Sequence, residues 1–150
     1  MIAGVADTHT ALWYLLRNPL LSAKARQFMD DAAASGNDIV ISPISLAEIV
    51  YLIEKNRLPS ANAYADLKVV LEDPDHMFKE APFTIEIVDA MRQVPRAEVP
   101  DMPDRIVAAT SFACISEPLG DRNGIHHIFV SHYPLPDKTS CQFSVGVFSM

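Results

Sequence analysis

The chain has 150 residues, of which 49% are apolar, and its 19 acidic and 12 basic side chains give a net charge of -7. This length and apolar fraction predict one globular domain with a buried core and exclude a disordered chain. No run approaches the roughly 18 apolar residues of a membrane span, and the acidic balance excludes nucleic-acid binding that is driven by a basic surface alone.

The N-terminus and the cysteines indicate the compartment. Residues 1–7 lack a basic leader and reach an acid after a few apolar or small residues, so we expect neither a signal peptide nor a transit peptide. Cys114 and Cys141 give no disulfide framework and no metal-ligand spacing, which is typical of a reducing environment. We therefore expect a soluble protein of the cytoplasm.

In the first part of the chain, short apolar runs alternate with helical patterns. Residues 2–6 are predicted to form a buried strand, and residues 8–17 a helix with leucines on one face. A second helix is expected from the N-cap residue Ser22 to Ala34. The β-branched run at residues 39–41 predicts the second strand.

Three further helices and one extended segment are predicted in the middle of the chain. Residues 45–48 match a capping box, so a helix is expected to start there and to reach about Asn56. The apolar spacing favours another helix over residues 60–73, and residues 78–82 favour a short extended segment. Thr84 is expected to cap a helix that runs to Met91.

A proline-rich connector then leads to a helix whose first turn is acidic. Asp101 is the expected N-cap residue, Asp104 stands three residues later, and the apolar pattern continues to Phe112. The alternation of strands and helices over the whole chain predicts an α/β sandwich with a parallel sheet.

Three acids fall where the predicted strands end or where helices begin, namely Asp7, Glu48 and Asp104. Ligands of open parallel sheets bind at the carboxyl ends of the strands, so these acids are expected to face one cleft. Helix N-termini favour negative charge by roughly 0.3 to 1 kcal/mol, which predicts that Glu48 and Asp104 stay ionised near neutral pH. A hard cation, Mg²⁺ or Mn²⁺, would relieve their repulsion and suit phosphodiester hydrolysis.

Each acid also has a structural interpretation. Glu48 fits the capping box and could do only that. Asp104 could be a first-turn acid that stabilises its helix, and Asp101 is better explained as an N-cap residue than as a ligand. Asp7, at the end of a buried strand, is explained better by a functional site than by helix capping.

The segments at residues 5–13, 42–49 and 103–110 resemble the three early motifs of PIN-domain ribonucleases, and the overall pattern is similar to that of VapC-type toxins of bacterial toxin–antitoxin pairs. The resemblance covers about residues 1–115 in order and spacing. It implies a PIN-like three-layer α/β/α sandwich with a short central parallel sheet. It also implies a metal-dependent endoribonuclease with four acids, a homodimer, an RNA substrate and a small VapB-like antitoxin as partner.

Carried over by position, the resemblance makes Asp7, Glu48 and Asp104 the first three catalytic, metal-binding acids. Thr8 would supply a hydroxyl near the metal or the phosphate. The family pattern then requires a strand that ends in an acid, but residues 114–124 contain Pro and Gly in its place. Asp121 is the nearest candidate for the fourth acid, and a plain turn residue is the alternative.

The last 25 residues differ in composition from the rest. They hold one acid and one base but three of the five histidines, and the histidines lack neighbouring acids or cysteines at ligand spacing, so we interpret them as incidental. We divide the chain into a PIN-like domain, residues 1–125, and an atypical tail, residues 126–150. The three histidines of this tail are His126, His127 and His132.

We hypothesise that the reading frame or the gene diverged after about Phe112.

Three functions are compatible with these patterns. The first is the metal-dependent ribonuclease toxin. The second is a catalytically impaired PIN-like protein that acts by binding an antitoxin or itself, which the damaged fourth motif favours. The third is a phosphatase or phosphoryl-acceptor domain with Asp7 as nucleophile, and it is weaker because no second acid follows two residues later.

Overall fold

The computed structural model describes residues 1–58, 60, 62–115, 129–131 and 144–146. These residues form one sheet and the helices that cover it. In chain order the elements are β1 (Ile2–Ala6), α1 (Thr8–Leu15), α2 (Ala23–Ala34), β2 (Asp38–Ile41), α3 (Pro43–Glu54), α4 (Ala63–Glu72), β3 (Phe78–Glu80), α5 (Ile85–Ala90), a 3-10 helix (Met91–Gln93), α6 (Met102–Ile115), β4 (Phe129–Ser131) and β5 (Ser144–Gly146).

The sheet has the strand order β3-β2-β1-β4-β5. Strand β1 pairs in parallel with β2 on one side and with β4 on the other, β2 pairs in parallel with β3, and β5 is antiparallel to β4. The chain order therefore reverses at β1, and in α/β sheets ligands bind outside the carboxyl ends of the strands at such a reversal. The fold thus directs attention to the residues that follow β1 and β2.

Helices cover both faces of the sheet. Because side chains alternate along a strand, Val5 and Val40 pack with α5 and α6, whereas Ala6 and Ile41 pack with α1, α2, α3 and α4. Each face buries its own apolar cluster, and removal of this surface from water supplies roughly 25 cal/mol per Å² toward folding. The predicted α/β/α sandwich with a short parallel sheet is confirmed.

Most helix ends follow local signals in the sequence. Ser22 caps α2, since its hydroxyl accepts a hydrogen bond from the Ala25 N–H at 3.1 Å. Helix α1 ends at Leu15, two residues before the predicted end, and Arg17 then adopts a left-handed conformation with φ 50°, as is common just after a helix. Helix α4 begins at Ala63, three residues later than expected.

Two short strands come from the end of the chain. Strand β4 (Phe129–Ser131) lies directly beside β1, and β5 (Ser144–Gly146) pairs with β4. The boundary at residue 125 and the change of reading frame stay predictions.

The helices are short relative to a bilayer. In the part of the chain that the structure describes, the α-helices range from the six residues of α5 to the 14 residues of α6, whereas about 20 residues are needed to span the hydrocarbon core. Among the described residues, no helix is both long and apolar enough to cross a membrane.

Candidate metal and nucleic-acid site

The turn from β1 to α1 places two buried polar residues at the carboxyl edge of the sheet. Asp7 is 4% exposed and is the N-cap residue of α1, and its carboxylate accepts a hydrogen bond from the Thr10 N–H at 2.7 Å. Thr8 is 1% exposed and is the first residue of the helix. Asp7 therefore caps a helix as well as lying at the predicted site.

Glu48 reaches the same edge from α3, but from the second turn of the helix. The helix begins at Pro43, so Ser42 is the N-cap residue and Ser45 lies inside the helix. The prediction of a capping box at Ser45 and Glu48 is therefore wrong. The prediction that Glu48 lies in the first turn of its helix is wrong as well. Proline fits the first helical position because its fixed φ suits the helix and its missing N–H is not needed there.

The Glu48 carboxylate is engaged by α1 rather than by its own helix. One of its oxygens accepts a hydrogen bond from the Thr8 hydroxyl at 2.6 Å. This bond joins residues that are 40 positions apart in the sequence and fixes Glu48 beside the Asp7 turn. With the capping box excluded, the structural interpretation of Glu48 loses its basis.

Asp104 is brought in by α6, which packs against β1 and α3. It is the third residue of that helix, and it is partly buried. Asp101 directly precedes the helix, as expected of an N-cap residue: its carbonyl accepts from the Arg105 N–H and its carboxylate from the Met102 N–H, each at 3.0 Å. The predicted start of this helix is confirmed.

The pKa of Asp104 reflects its burial and the charges of the neighbouring acids. Partial burial, and then the negative charges of Asp7, Glu48 and Asp101, raise the pKa of Asp104 from 3.8 to about 7. The expectation that the helix N-terminus keeps Asp104 ionised at neutral pH is therefore wrong. A helix end contributes about 0.3–1 kcal/mol, and up to about 2 kcal/mol for a partly buried group, whereas each of the roughly three pKa units of this shift corresponds to about 1.4 kcal/mol. Three carboxylates from three elements thus face one region.

Arg105 anchors the start of α6 from the other side of the helix. Its guanidinium Nη2 donates to the carbonyl oxygens of Met91 and Val94, at 3.0 and 3.3 Å. These bonds tie the 3-10 helix after α5 to the turn that carries Asp104. Sequence reasoning did not single out Arg105, although a base next to a candidate acid was a usable signal.

The donor atoms fit a hard cation, but they are not preassembled around one. Carboxylate and hydroxyl oxygens are the ligands that Mg²⁺ and Mn²⁺ prefer, and Asp7, Thr8, Glu48 and Asp104 supply them. Among the described residues, however, no three His, Cys, Asp or Glu side chains lie close enough together to hold a metal ion. Coordination by all three acids therefore requires their side chains to approach one another.

The fourth acid of the predicted site falls on a part of the chain that the structure does not describe. Asp121 lies outside the described residues, as do the three tail histidines. Strand β4 occupies the position beside β1, with Val130 opposite Ala6, so that Ser131 follows in register with Asp7. At this place the carboxyl edge carries a serine in the sequence rather than an acid. The histidines are His126, His127 and His132.

A cleft of about 490 Å³ lies at the opposite edge of the sheet, near the amino ends of β2 and β3. His76 and Lys79 line it, and both are used in local hydrogen bonds: the His76 Nδ1 accepts from the Phe78 N–H, and the Lys79 Nζ donates to the Pro74 carbonyl. None of the candidate acids lines this cleft. The cleft and the candidate carboxylates therefore lie at different edges of the sheet. We place the candidate metal site at the carboxylates because their oxygen atoms are the ligands that hard cations prefer.

Comparison with known proteins agrees with this architecture. The chain has the same fold as a chain in the crystal structure of VapBC2 from Rickettsia felis bound to a DNA fragment from their promoter, with a TM-score of 0.57, 17% identity and 89% of each chain covered. No curated protein gives a significant sequence match. The family model of the PIN domain matches residues 5–113, and PIN domains are typically metal-dependent nucleases. The chain belongs to the PIN-domain family.

Proposed function

We propose that the chain is a metal-dependent endoribonuclease that acts as the toxin of a toxin–antitoxin pair. The observation that carries this proposal is that Asp7, Glu48 and Asp104 lie at one edge of the sheet: the Thr8 hydroxyl holds Glu48 beside the Asp7 turn at 2.6 Å, and burial, followed by the charges of Asp7 and Glu48, raises the pKa of Asp104. Like charges held together at a strand switch point destabilise a fold unless a ligand neutralises them. A divalent cation is the ligand that these oxygen donors suit.

In this proposal Asp7, Glu48 and Asp104 hold Mg²⁺ or Mn²⁺. When bound, the cation supplies an activated water and stabilises negative charge on the phosphate. The Thr8 hydroxyl orients the Glu48 carboxylate through its 2.6 Å hydrogen bond. Asp104 gives up the proton that it partly retains near neutral pH, so that its oxygens become available as ligands.

The acidic balance of the chain is compatible with an RNA substrate under this proposal. A chain with a net charge of -7 repels a polyanion. Cations at the carboxylates reverse the local charge at the place where the phosphodiester must lie. We therefore propose that RNA reaches the site only when the divalent cation is present.

The toxin assignment draws on the shared fold with a chain of the VapBC2 structure. We extend it to a small VapB-like antitoxin as the neutralising partner, to a homodimer of this chain and to the bacterial cytoplasm. Growth arrest on expression, relieved by coexpression of a small open reading frame encoded beside the gene, is the expected result. Growth that continues unchanged while active nuclease accumulates would exclude the toxin role and leave the nuclease intact.

The nuclease itself is tested by cleavage of total cellular RNA by the purified chain with Mn²⁺, with Mg²⁺ and with EDTA. Asp7→Asn and Glu48→Gln are compared with the wild type, and Asp75→Asn, at the opposite edge of the sheet, is the matched control. We expect cleavage by the wild type and the control that requires a divalent cation, and little by the two site variants. Cleavage that persists in EDTA or in both site variants contradicts the metal mechanism.

A second function is a catalytically impaired PIN domain that acts by binding an antitoxin or a second copy of itself. Two observations favour it: Ser131 stands in the sequence where β4 meets the carboxyl edge, and the described acids do not form a ready metal cluster. It predicts a folded wild type that is inert with every cation tested. Complex formation or self-association, measured by light scattering, would then remain.

A further inference from the structure

Two serine hydroxyls next to the candidate site are buried and unused. Ser42 and Ser45 are both 0% exposed, and neither Oγ has a hydrogen-bond partner among the described residues. Ser42 is the N-cap residue of α3, where serine usually accepts a hydrogen bond from the N–H two or three positions on. The Ser42 hydroxyl makes no such bond. It therefore does not cap the helix, although its position is the one from which a serine side chain usually does.

Buried hydroxyls without a partner are costly and rare in native proteins. Two of them one helical turn apart lie on the same side of the helix start. Buried water molecules typically make about three hydrogen bonds to groups that are otherwise unsatisfied. A pair of unused hydroxyls is therefore what one expects at the site of such a water.

The strand register and the helix spacing place these serines near the residues that carry the carboxylates. Ala6 is paired with Ile41, so Ser42 follows in register with Asp7. Ser42 retains an extended backbone, with φ -75° and ψ 141°, so by strand alternation it shares the face of Val40, which α6 covers. Ser45 is three residues before Glu48 on α3, which is also neighbour spacing on a helix.

We propose that the hydroxyls of Ser42 and Ser45 hold a buried water that hydrogen-bonds to the carboxylates of Asp7 and Glu48. Both serines are then positioning residues of the acid site and not helix caps. The link to cation binding rests on the proposed function, whereas the water site does not. Groups that orient metal ligands from behind typically change metal affinity or activity by about 10–100-fold when they are removed.

The test compares Ser42→Ala and Ser45→Ala with Ser22→Ala. Ser22 is the matched control because its hydroxyl does cap a helix. Three quantities are measured on the full chain: the Tm in EDTA, the Mn²⁺ dissociation constant by calorimetry, and the water structure in a high-resolution crystal structure of the metal-free protein.

We expect an ordered water within hydrogen-bond distance of both hydroxyls. In the two site variants, we expect a Tm that falls no further than that of Ser22→Ala and Mn²⁺ binding that is weakened by about 10-fold or more. Ser22→Ala should lower the Tm and leave Mn²⁺ binding unchanged. If the wild type binds no Mn²⁺, the proposed function fails while an observed water still supports the serine site. Hydroxyls bonded to protein atoms without a water, or variants that lose Tm as Ser22→Ala does with unchanged Mn²⁺ affinity, overturn the inference.

Discussion

The two edges of the sheet differ in whether their polar side chains find hydrogen-bond partners among the described residues. At the amino edge, His76 and Lys79 are satisfied by nearby backbone atoms, and the Tyr14 hydroxyl donates to Asp30 at 2.8 Å. At the carboxyl edge, burial and then like charges raise the pKa of Asp104, and the hydroxyls of Ser42 and Ser45 have no hydrogen-bond partner in the part of the chain that the structure describes. One edge is arranged for stability, whereas the other carries costs that folding alone does not explain.

This difference, rather than the position of the cleft, is the ground on which we propose that function lies at the carboxyl edge. Functional sites hold groups in arrangements that destabilise the free protein, because those groups are meant to meet a ligand. The cleft of about 490 Å³ lies at the amino edge, where His76 and Lys79 are hydrogen-bonded to nearby backbone atoms. Substitutions at the two edges should therefore separate stability from activity, and the following expectations run from the largest effect to the smallest.

The largest effect is expected in the core beside the amino edge. Phe78 on β3 is fully buried, and its ring lies 5.9 Å from that of Tyr14 and 5.2 Å from that of His76, between ring centroids. Phe78→Ala should lower the free energy of unfolding by about 3–5 kcal/mol through lost burial and a cavity. Urea denaturation measures it. Cleavage per folded molecule should stay within a few-fold of wild type, and a selective loss of activity would break the comparison.

Substitutions of the acids at the carboxyl edge should lower the activity strongly and change the stability little. Asp7→Asn retains an N-cap residue of equal quality, so the stability should hardly change, while metal-dependent cleavage should fall by more than about 100-fold, beyond the effect typical of outer-shell groups. Glu48→Gln retains an acceptor for the Thr8 hydroxyl and should behave alike. Rates at saturating Mn²⁺, together with the Tm, provide the measurement. An active Asp7→Asn protein would contradict the assignment.

Asp104 should make the free energy of unfolding depend on pH. Because its folded pKa of about 7 lies above the ordinary value of 3.8, the folded state holds more protons than the unfolded state between these values. The contribution of Asp104 to the free energy of unfolding therefore decreases as the pH rises from about 4 to about 7. Asp104→Asn should remove this decrease and stabilise the metal-free protein at pH 8.

Urea denaturation in EDTA across this pH range checks the expectation, and Asp75→Asn serves as the control. Addition of Mg²⁺ should restore stability to the wild type at pH 8 but not to Asp104→Asn. Parallel pH profiles for wild type and Asp104→Asn would show that Asp104 is not the strained group.

The smallest effect is expected at Tyr14. Burial, together with the hydrogen bond and charge of Asp30, raises the pKa of Tyr14 to about 12. Tyr14→Phe removes a largely exposed hydrogen bond and should cost about 0.5–1.5 kcal/mol, with unchanged cleavage. Thermal denaturation and an RNA cleavage assay measure both. A loss of activity without a loss of stability would place function at the amino edge.

The sequence predicted the alternation of elements, and with it the sandwich, because the apolar periods of strands and helices differ. It also predicted the convergence of Asp7, Glu48 and Asp104, since strand ends and helix starts are visible as local patterns. It misplaced the start of α3 because Ser45 and Glu48 satisfy a local pattern that the proline at Pro43 overrides. The protonation of Asp104 and the unused hydroxyls depend on burial by distant elements, which no local pattern contains.

The central claim is that the carboxyl edge binds a divalent cation through Asp7, Glu48 and Asp104. Calorimetric titration of the metal-free wild type with Mn²⁺ tests it most directly, at pH 6, 7 and 8 and in buffers of different ionisation enthalpy. The account predicts saturable binding with proton release that is greatest at the lower pH, and its loss in Asp7→Asn and Asp104→Asn but not in Asp75→Asn. Absence of binding, or binding that both site variants retain, would contradict it.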